Sequence, residues 1–120
     1  MKGSLHKVGT YQQKYNSLLN ISLPILDIFR DDGLTKHIKQ RHANCLQYLS
    51  NIPMILNNPD YIGINPKEPN SIELIKTFGD NIQIAIKLDS NNGYYYIATI
   101  HEVSNVKIQK RIQSGRLKKF

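Results

Sequence analysis

The chain has 120 residues, 40% of them hydrophobic, and its 16 Lys and Arg outnumber nine Asp and Glu to leave a formal net charge of +7. That length suits one domain with a modest core, and no run of 18 apolar residues is present to span a membrane. The lone cysteine, Cys45, excludes an internal disulfide and a cysteine zinc site, and the first four residues lack the apolar region of a signal peptide. We therefore expect action in the cytoplasm, with or without delivery as a domain of a longer protein.

The residues before the first predicted helix indicate little regular structure. Weak alternation over residues 5–15 indicates an edge strand, and the polar residues 15–20 are interpreted as a connection. A strand that reaches Phe29 should begin after Pro24, because proline is accepted at the start of a strand rather than within it.

Two helices are predicted next. Asp32-Gly33 indicates a turn, and a short helix follows in which Thr35 is the candidate N-cap, because its hydroxyl can accept from an orphan backbone N–H. A second helix is predicted at about residues 46–56. Since proline is tolerated only in the first turn of a helix, Pro53 requires this helix to begin near Ser50 or to kink there.

The second half of the chain changes to strand patterns. Isoleucine occupies alternate positions after residue 81, and Asn92-Gly93 indicates a hairpin turn. Three strands are predicted, at residues 71–78, 82–88 and 94–103, after a loop at 61–69 and before a basic helix at 105–114. Helices that precede an antiparallel meander define an α+β domain.

Basic residues are concentrated near the C-terminal end. Beyond Glu102 the sequence holds no acid. The cations there are Lys107, Lys110, Arg111, Arg116, Lys118 and Lys119. They indicate either a solvated basic helix that favours solubility or a surface that follows a phosphate backbone, and the net charge favours a polyanionic partner.

The first predicted helix places two functional groups side by side. His37 and Arg41 stand four residues apart, so an imidazole and a guanidinium project from one edge of the helix. Such a pair suits attack of an RNA 2′-hydroxyl on the adjacent phosphate, because imidazole transfers protons near neutral pH and a cation stabilises charge on the phosphate oxygens. If this helix lies across the sheet, Thr99 and Lys87 would approach the pair.

Strict alternation along the third predicted strand assigns its side chains to two faces. One face would carry Tyr94, Tyr96 and Ala98, and the other would carry Tyr95, Ile97, Thr99 and His101. The tyrosines would either stack on bases or, in their commoner use, pack within the sheet. His6 and His101 are interpreted as incidental.

An ordered set of segments resembles a known nuclease class. The segments are KHIKQRH at 36–42, IPMILNNPDYIG at 52–63, IAIKLD at 84–89, YIAT at 96–99 and SGRLK at 114–118. Together they are similar to phage-associated nucleases of the barnase–EndoU–colicin–RelE-like class. The resemblance covers residues 25–120 of a single domain and leaves 1–24 as an N-terminal extension.

This resemblance implies a fold and an activity. The fold would be α+β, with N-terminal helices packed on an antiparallel four-stranded sheet and a C-terminal basic helix or tail. Members of the class are mostly metal-independent ribonucleases of phage proteins and toxins, so the expected substrate is RNA and no cofactor is expected. An antitoxin or immunity protein is an expected partner, and no membrane is involved.

The resemblance also implies site residues. His37, Arg41, Thr99 and Ser114 would be the active-site positions, and Lys36, His42, Lys87 and Tyr96 would support them. Each has an alternative: His42 as a hydrogen-bonded core histidine, Thr99 as a strand former, and Ser114 with Gly115 as a helix stop. The basic tail would bind RNA. Two functions therefore stay open, a small ribonuclease and a non-catalytic RNA-binding or inhibitor-binding module of the same fold.

Overall fold

A seven-stranded mixed sheet is the centre of the computed structural model, which describes residues 4–120. Its strands are β1 Leu5–Thr10, β2 Asp27–Asp31, β3 Tyr61–Asn65, β4 Glu68–Thr77, β5 Asn81–Asp89, β6 Tyr94–Glu102 and β7 Leu117–Lys119. They lie in the order β1-β2-β6-β5-β4-β3-β7, so that β1 and β7 form the two edges. Strands β2 and β6 run parallel, and the five other neighbouring pairs are antiparallel.

Helices connect the strands and follow the last long one. Over residues 4–120 these are α1 Gln13–Leu19, α2 Asp32–Arg41, a 3-10 helix Ala43–Asn51, α3 Ile52–Asn57 and α4 Asn105–Gln113. None of these helices combines the length and the apolar character needed to cross a bilayer.

The α+β class is confirmed, but the expected four-stranded sheet with all its helices in front is wrong. Strands β1 and β2 precede most helices, and β3 occupies part of the predicted loop at 61–69. Gly63 suggested a turn in this predicted loop, but it lies within β3, where the absence of a side chain allows the backbone of a neighbouring strand to approach closely. A Cβ at Gly63 would lie 2.3 Å from the carbonyl oxygen of Arg116, where β7 passes beside β3.

The N-terminal third departs from prediction at three places, of which the first is the predicted turn at Asp32-Gly33, because these two residues begin α2. The predicted connection at 15–20 is largely α1, whose buried Tyr15 and Leu19 stand four residues apart as a helix requires. Asp31, not Thr35, caps α2, because its carboxylate accepts from the backbone N–H of Leu34 at 3.1 Å. The edge strand predicted over 5–15 is confirmed for residues 5–10 only, since α1 begins at Gln13, and the strand after Pro24 and the proline in the first turn of α3 are confirmed.

Alternate side chains of the central strands define a core face of the sheet. On β4 and β5 this face carries Ile72, Leu74, Ile84 and Ile86, all fully buried. Helices α1 to α3 and the 3-10 helix cover it with buried side chains that include Tyr15, Leu34, Ile38, Tyr48 and Ile55. Most apolar burial therefore lies on one side of the sheet, and this side holds the fold together.

The opposite face, here named the groove face, carries polar side chains. On β4 and β5 it presents Glu73, Gln83 and Lys87. Helix α4 and β7 cover one end of it through a separate small cluster of buried residues, Ile75, Val103, Ile108 and Leu117. The remainder of the groove face is left open for other chemistry.

A β-bulge in β6 decides which side chains reach the groove face. Ile86 pairs with Ile97 and Ala85 pairs with Thr99, so Ala98 is an extra residue in β6. The bulge keeps both Ile97 and Ile100 in the core. Thr99 and His101 consequently face the same side as Ala85 and Gln83, and their predicted placement with Ile97 is wrong.

Candidate active site

A polar groove of about 360 Å³ lies on the groove face, between the bulge of β6 and the C-terminal elements α4 and β7. Its polar lining residues are Asn65, Glu68, Ser71, Glu73, Gln83, Lys87, Thr99, His101, Arg111 and Arg116. Strands β4, β5 and β6 supply most of the floor, and the two arginines come from the basic C-terminal segment. The fold thus brings distant basic residues together over an open sheet surface.

A hydrogen-bonded network fixes both arginines. Arg116 donates from Nε and Nη2 to the two carboxylate oxygens of the buried Glu73, at 3.0 and 2.7 Å. Gln83 donates to Glu73 at 3.2 Å and accepts from Arg111 Nη1 at 2.9 Å. Burial and the neighbouring Arg116 lower the pKa of Arg111, yet a guanidinium stays protonated at neutral pH. Glu73 offsets one of the two cations, so the network stays positive.

Lys87 adds a further cation near the other end of the polar groove. Its Nζ lies 2.9 Å from a carboxylate oxygen of Glu68, and both side chains are partly exposed. An exposed pair of this kind is weak in water. Lys87 can therefore exchange Glu68 for a phosphate at little cost.

Three histidines form a row that leads into the polar groove. The ring centroids of His37 and His42 are 5.9 Å apart, and those of His42 and His101 are 5.7 Å apart. His37 and His42 come from α2 and its C-cap, whereas His101 is brought to the row by the bulge in β6. Two neighbouring imidazoles can hold one proton donor and one proton acceptor beside the same ligand.

The surroundings of His101 favour its neutral form. Burial lowers the pKa of His101 below its ordinary value, and the neighbouring His42, Arg111 and Lys107 lower it further, against a smaller opposite effect of Glu73. A neutral imidazole at pH 7 can accept a proton. The environment therefore makes His101 a base rather than a fixed cation.

Several sequence-predicted residues lie close together. Thr99 and Lys87 line the polar groove, and His42 is in ring contact with His101. His37 lines an adjoining cavity of about 220 Å³ with Tyr96 and Ala98, and Ala98 also lines the polar groove. Helix α2 thus approaches β6 beside Tyr96 and Ala98, and the predicted closeness of His37 to Thr99 and Lys87 stays a prediction.

Other predicted residues lie elsewhere. Lys36 and Arg41 are exposed on α2 and, within residues 4–120, line neither the polar groove nor the adjoining cavity. The Ser114 hydroxyl donates to the carbonyl of Arg111 at 3.0 Å and accepts from the backbone N–H of Arg116 at 3.4 Å. Ser114 thus stabilises the turn between α4 and β7.

The predicted RNA-binding tail forms a second surface. Lys110, Arg111, Arg116 and Lys118 line an open cavity of about 760 Å³ beside Ser114, and the exposed Lys107 lies on α4. Arg111 and Arg116 line both this cavity and the polar groove. The basic tail is therefore continuous with the groove.

Sequence reasoning missed His101, Glu73 and Gln83. A signal existed for the last two, because a charged residue and an amide interrupt strands that are otherwise mostly apolar. His101 was interpreted as incidental, although strict alternation already placed it on the same face as Thr99, a predicted active-site residue. The position of the His101 side chain depends on the bulge at Ala98, and the sequence alone does not predict this bulge.

Across residues 4–120, no group of three or more His, Cys, Asp or Glu side chains is arranged to hold a metal ion. The histidine row itself does not form such a group.

An α+β domain that places a row of imidazoles beside fixed cations on an open sheet face has the features needed to act on a phosphodiester. The model of one protein family, described as phage-Barnase-EndoU-ColicinE5/D-RelE like nuclease 3, matches residues 6–110. The chain belongs to this nuclease family. The comparisons find no match among curated proteins and none among solved structures.

Proposed function

We propose that this nuclease is a metal-independent endoribonuclease. It would cleave RNA by attack of a 2′-hydroxyl on the adjacent phosphate, leaving a 2′,3′-cyclic phosphate and a 5′-hydroxyl. The observation that carries the proposal is the contact of His42 with His101, at 5.7 Å between ring centroids, beside a groove lined by Lys87, Arg111 and Arg116. Two proton carriers and a cationic cradle are what this reaction requires.

The proton transfers follow from the surroundings of each imidazole. His101, neutral at pH 7, accepts the proton of the 2′-hydroxyl as that oxygen attacks phosphorus. His42, which stands between His101 and His37, returns a proton to the departing 5′-oxygen. The two transfers balance, since the attacking oxygen loses one proton and the leaving oxygen gains one.

The cations act on the negative charge that gathers on the phosphate. Arg111 and Arg116 are held by hydrogen bonds before the substrate arrives, so they need no reorganisation as charge develops. Lys87 contacts the phosphate from the opposite end of the polar groove, and the Thr99 hydroxyl lies between as a hydrogen-bond donor. The active-site roles of Arg41 and Ser114 stay predictions, which alanine variants test.

One experiment tests both the substrate and the mechanism. The protein is incubated with end-labelled RNA and with single-stranded DNA of the same sequence, each with and without EDTA, and the product ends are analysed. We expect cleavage of RNA alone, unaffected by EDTA, with cyclic phosphate ends. Cleavage of DNA, 5′-phosphate products or loss of activity in EDTA would overturn the mechanism while leaving a nuclease.

Matched histidine variants connect this activity to the groove. His101→Asn should lower the cleavage rate by about 10²- to 10⁴-fold, the usual contribution of a positioned acid or base. The control is His6→Asn on β1, because His6 bonds to the exposed Asp32 rather than to any groove residue. Equal effects of the two variants would contradict the proposed site. RNA binding with no cleavage by the unmodified protein would instead favour the non-catalytic module.

The cellular setting was also predicted from the sequence. Action in the cytoplasm and neutralisation by an acidic antitoxin or immunity protein stay predictions, and toxicity on expression that His101→Asn relieves would support them.

A further inference from the structure

Tyr96 lies at a junction of cavities on the groove face. It pairs across the strands with Lys87, and both residues line a cavity of about 190 Å³. Tyr96 also lines a separate cavity of about 330 Å³ together with Tyr94, Asp31 and Asp89, here named the tyrosine cavity. The Tyr96 ring therefore stands between the Lys87 end of the polar groove and the tyrosine cavity.

The three consecutive tyrosines of β6 have different surroundings. Tyr95 is fully buried and stacks on Tyr11 with ring centroids 4.6 Å apart, so it belongs to the core. Tyr94 is half-buried and meets the ring of Phe29 edge to face at 5.2 Å. Tyr96 retains 37% exposure, the most of the three. It is the ring best placed to accept a flat ligand from solvent.

The charge of the lining changes sign on the two sides of Tyr96. The polar groove holds Lys87, Arg111 and Arg116 against Glu68 and Glu73, a lining with an excess of positive charge, whereas the tyrosine cavity holds two carboxylates and, among its described lining residues, no Lys or Arg. Both carboxylates already accept hydrogen bonds, Asp31 from the N–H of Leu34 and Asp89 from Asn92, and their negative charge repels a phosphate. A nucleotide placed across Tyr96 would thus put its phosphate toward Lys87 and its base toward the tyrosine cavity.

We infer that Tyr96 is the stacking platform of a nucleobase subsite, which binds the base next to the scissile phosphate of a single-stranded RNA. This inference rests on the proposed ribonuclease function and adds the single-stranded form of the substrate. Bases in a duplex are already stacked on each other, whereas an unpaired base is free to stack on an aromatic side chain. The volume of the tyrosine cavity is also at the lower end of the range of about 300–1,000 Å³ that small-molecule sites occupy.

The test measures binding without cleavage. A set of 2′-O-methyl hexanucleotides, which lack the attacking hydroxyl, carries one abasic position that moves along the strand. For the unmodified protein, removing the base at one position should weaken binding by about 5- to 150-fold, the usual effect of losing one base–aromatic stack. In Tyr96→Ala the same removal should change binding less than about twofold, because the platform is gone.

Two further variants control for the ring and for folding. Tyr96→Phe keeps the aromatic face and should retain the abasic penalty of the unmodified protein. Met54→Ala truncates a half-exposed side chain on α3 and should leave binding of every hexanucleotide unchanged. Thermal unfolding followed by circular dichroism verifies that each variant is folded.

The outcomes separate this inference from the proposed function. An abasic penalty that is equal in Tyr96→Ala and in the unmodified protein, or no penalty at any position, would overturn the subsite. Failure of the ribonuclease proposal would appear instead as intact unmodified RNA in the cleavage assay, whatever the hexanucleotides show.

Discussion

Replacement of Arg116 by alanine is the most demanding test of the ion pair between Arg116 and Glu73 in the polar groove. The side chain of Glu73 is only 4% exposed, and Arg116 neutralises it through two hydrogen bonds. Arg116→Ala would leave a buried carboxylate that, within residues 4–120, keeps the amide of Gln83 as its remaining side-chain donor. A charge left in that position is costly because neither water nor a cation compensates it.

The size of the effect follows from the burial of the two partners. Loss of one partner of a buried pair costs about 3–5 kcal/mol. Since the Arg116 side chain is 24% exposed, we expect the lower end, about 3 kcal/mol, in the free energy of unfolding. Glu73→Gln keeps the shape and leaves the guanidinium partly hydrated, so it should cost about 1–2 kcal/mol.

A double-mutant cycle measured by urea unfolding checks this reasoning. Arg116→Ala combined with Glu73→Gln should cost at least about 1 kcal/mol less than the sum of the single variants, because the unpaired charge is absent. Circular dichroism reports the midpoint, and unchanged m-values keep the comparison valid. Additive effects, or a cost of Arg116→Ala below about 1 kcal/mol, would refute the view that Glu73 is a buried charge that needs this cation.

Three further outcomes can be measured on single variants. The pKa of His101 lies below its ordinary value, so the unfolded state binds more protons than the folded state as the pH falls from 7 to 5. The urea midpoint of unfolding should therefore decrease over that range. An equal decrease in His101→Gln would contradict this. Gly63→Ala places a Cβ 2.3 Å from the Arg116 carbonyl oxygen and should lower the free energy of unfolding by about 1–3 kcal/mol or more. An unchanged free energy would mean that β7 moves away from the new methyl group. Ser104→Ala removes the N-cap of α4, which accepts from Lys107 N–H at 3.2 Å, and should cost about 1 kcal/mol that Ser104→Asp restores; a neutral alanine would exclude the cap.

Local sequence patterns were sufficient to predict the two long strands β5 and β6. The isoleucines of β5 and the β-formers of β6 predict these strands nearly to their ends, and the proline of α3 predicts where that helix begins. Short elements were missed where the signal was weak. β3 has five residues and a central glycine, and it is a strand because β4 and β7 pair with its two sides.

The site was predictable only in parts. The spacing of His37 on its helix and the charge of the basic tail predicted two parts of the site, and both lie near the polar groove. The rest of the site depends on tertiary contacts. Helix α4 packs on Ile75 and thereby places Arg111 beside Gln83, which is 28 residues away in the sequence. Periodicity within one segment does not contain such a contact.

The extra residue at Ala98 makes the length of β6 as important as its composition. Deletion of Ala98 would leave Ile97, Thr99, Ile100 and His101 in strict alternation on their present faces. In a strand, one residue more exchanges inside for outside, so a further residue inserted after Ala98, with the bulge retained, would turn Thr99 and His101 toward the hydrocarbon side chains and Ile100 toward water. Sequence drift in this family can thus replace single side chains gradually, but such an insertion would exchange the core side chains and the groove side chains in one event.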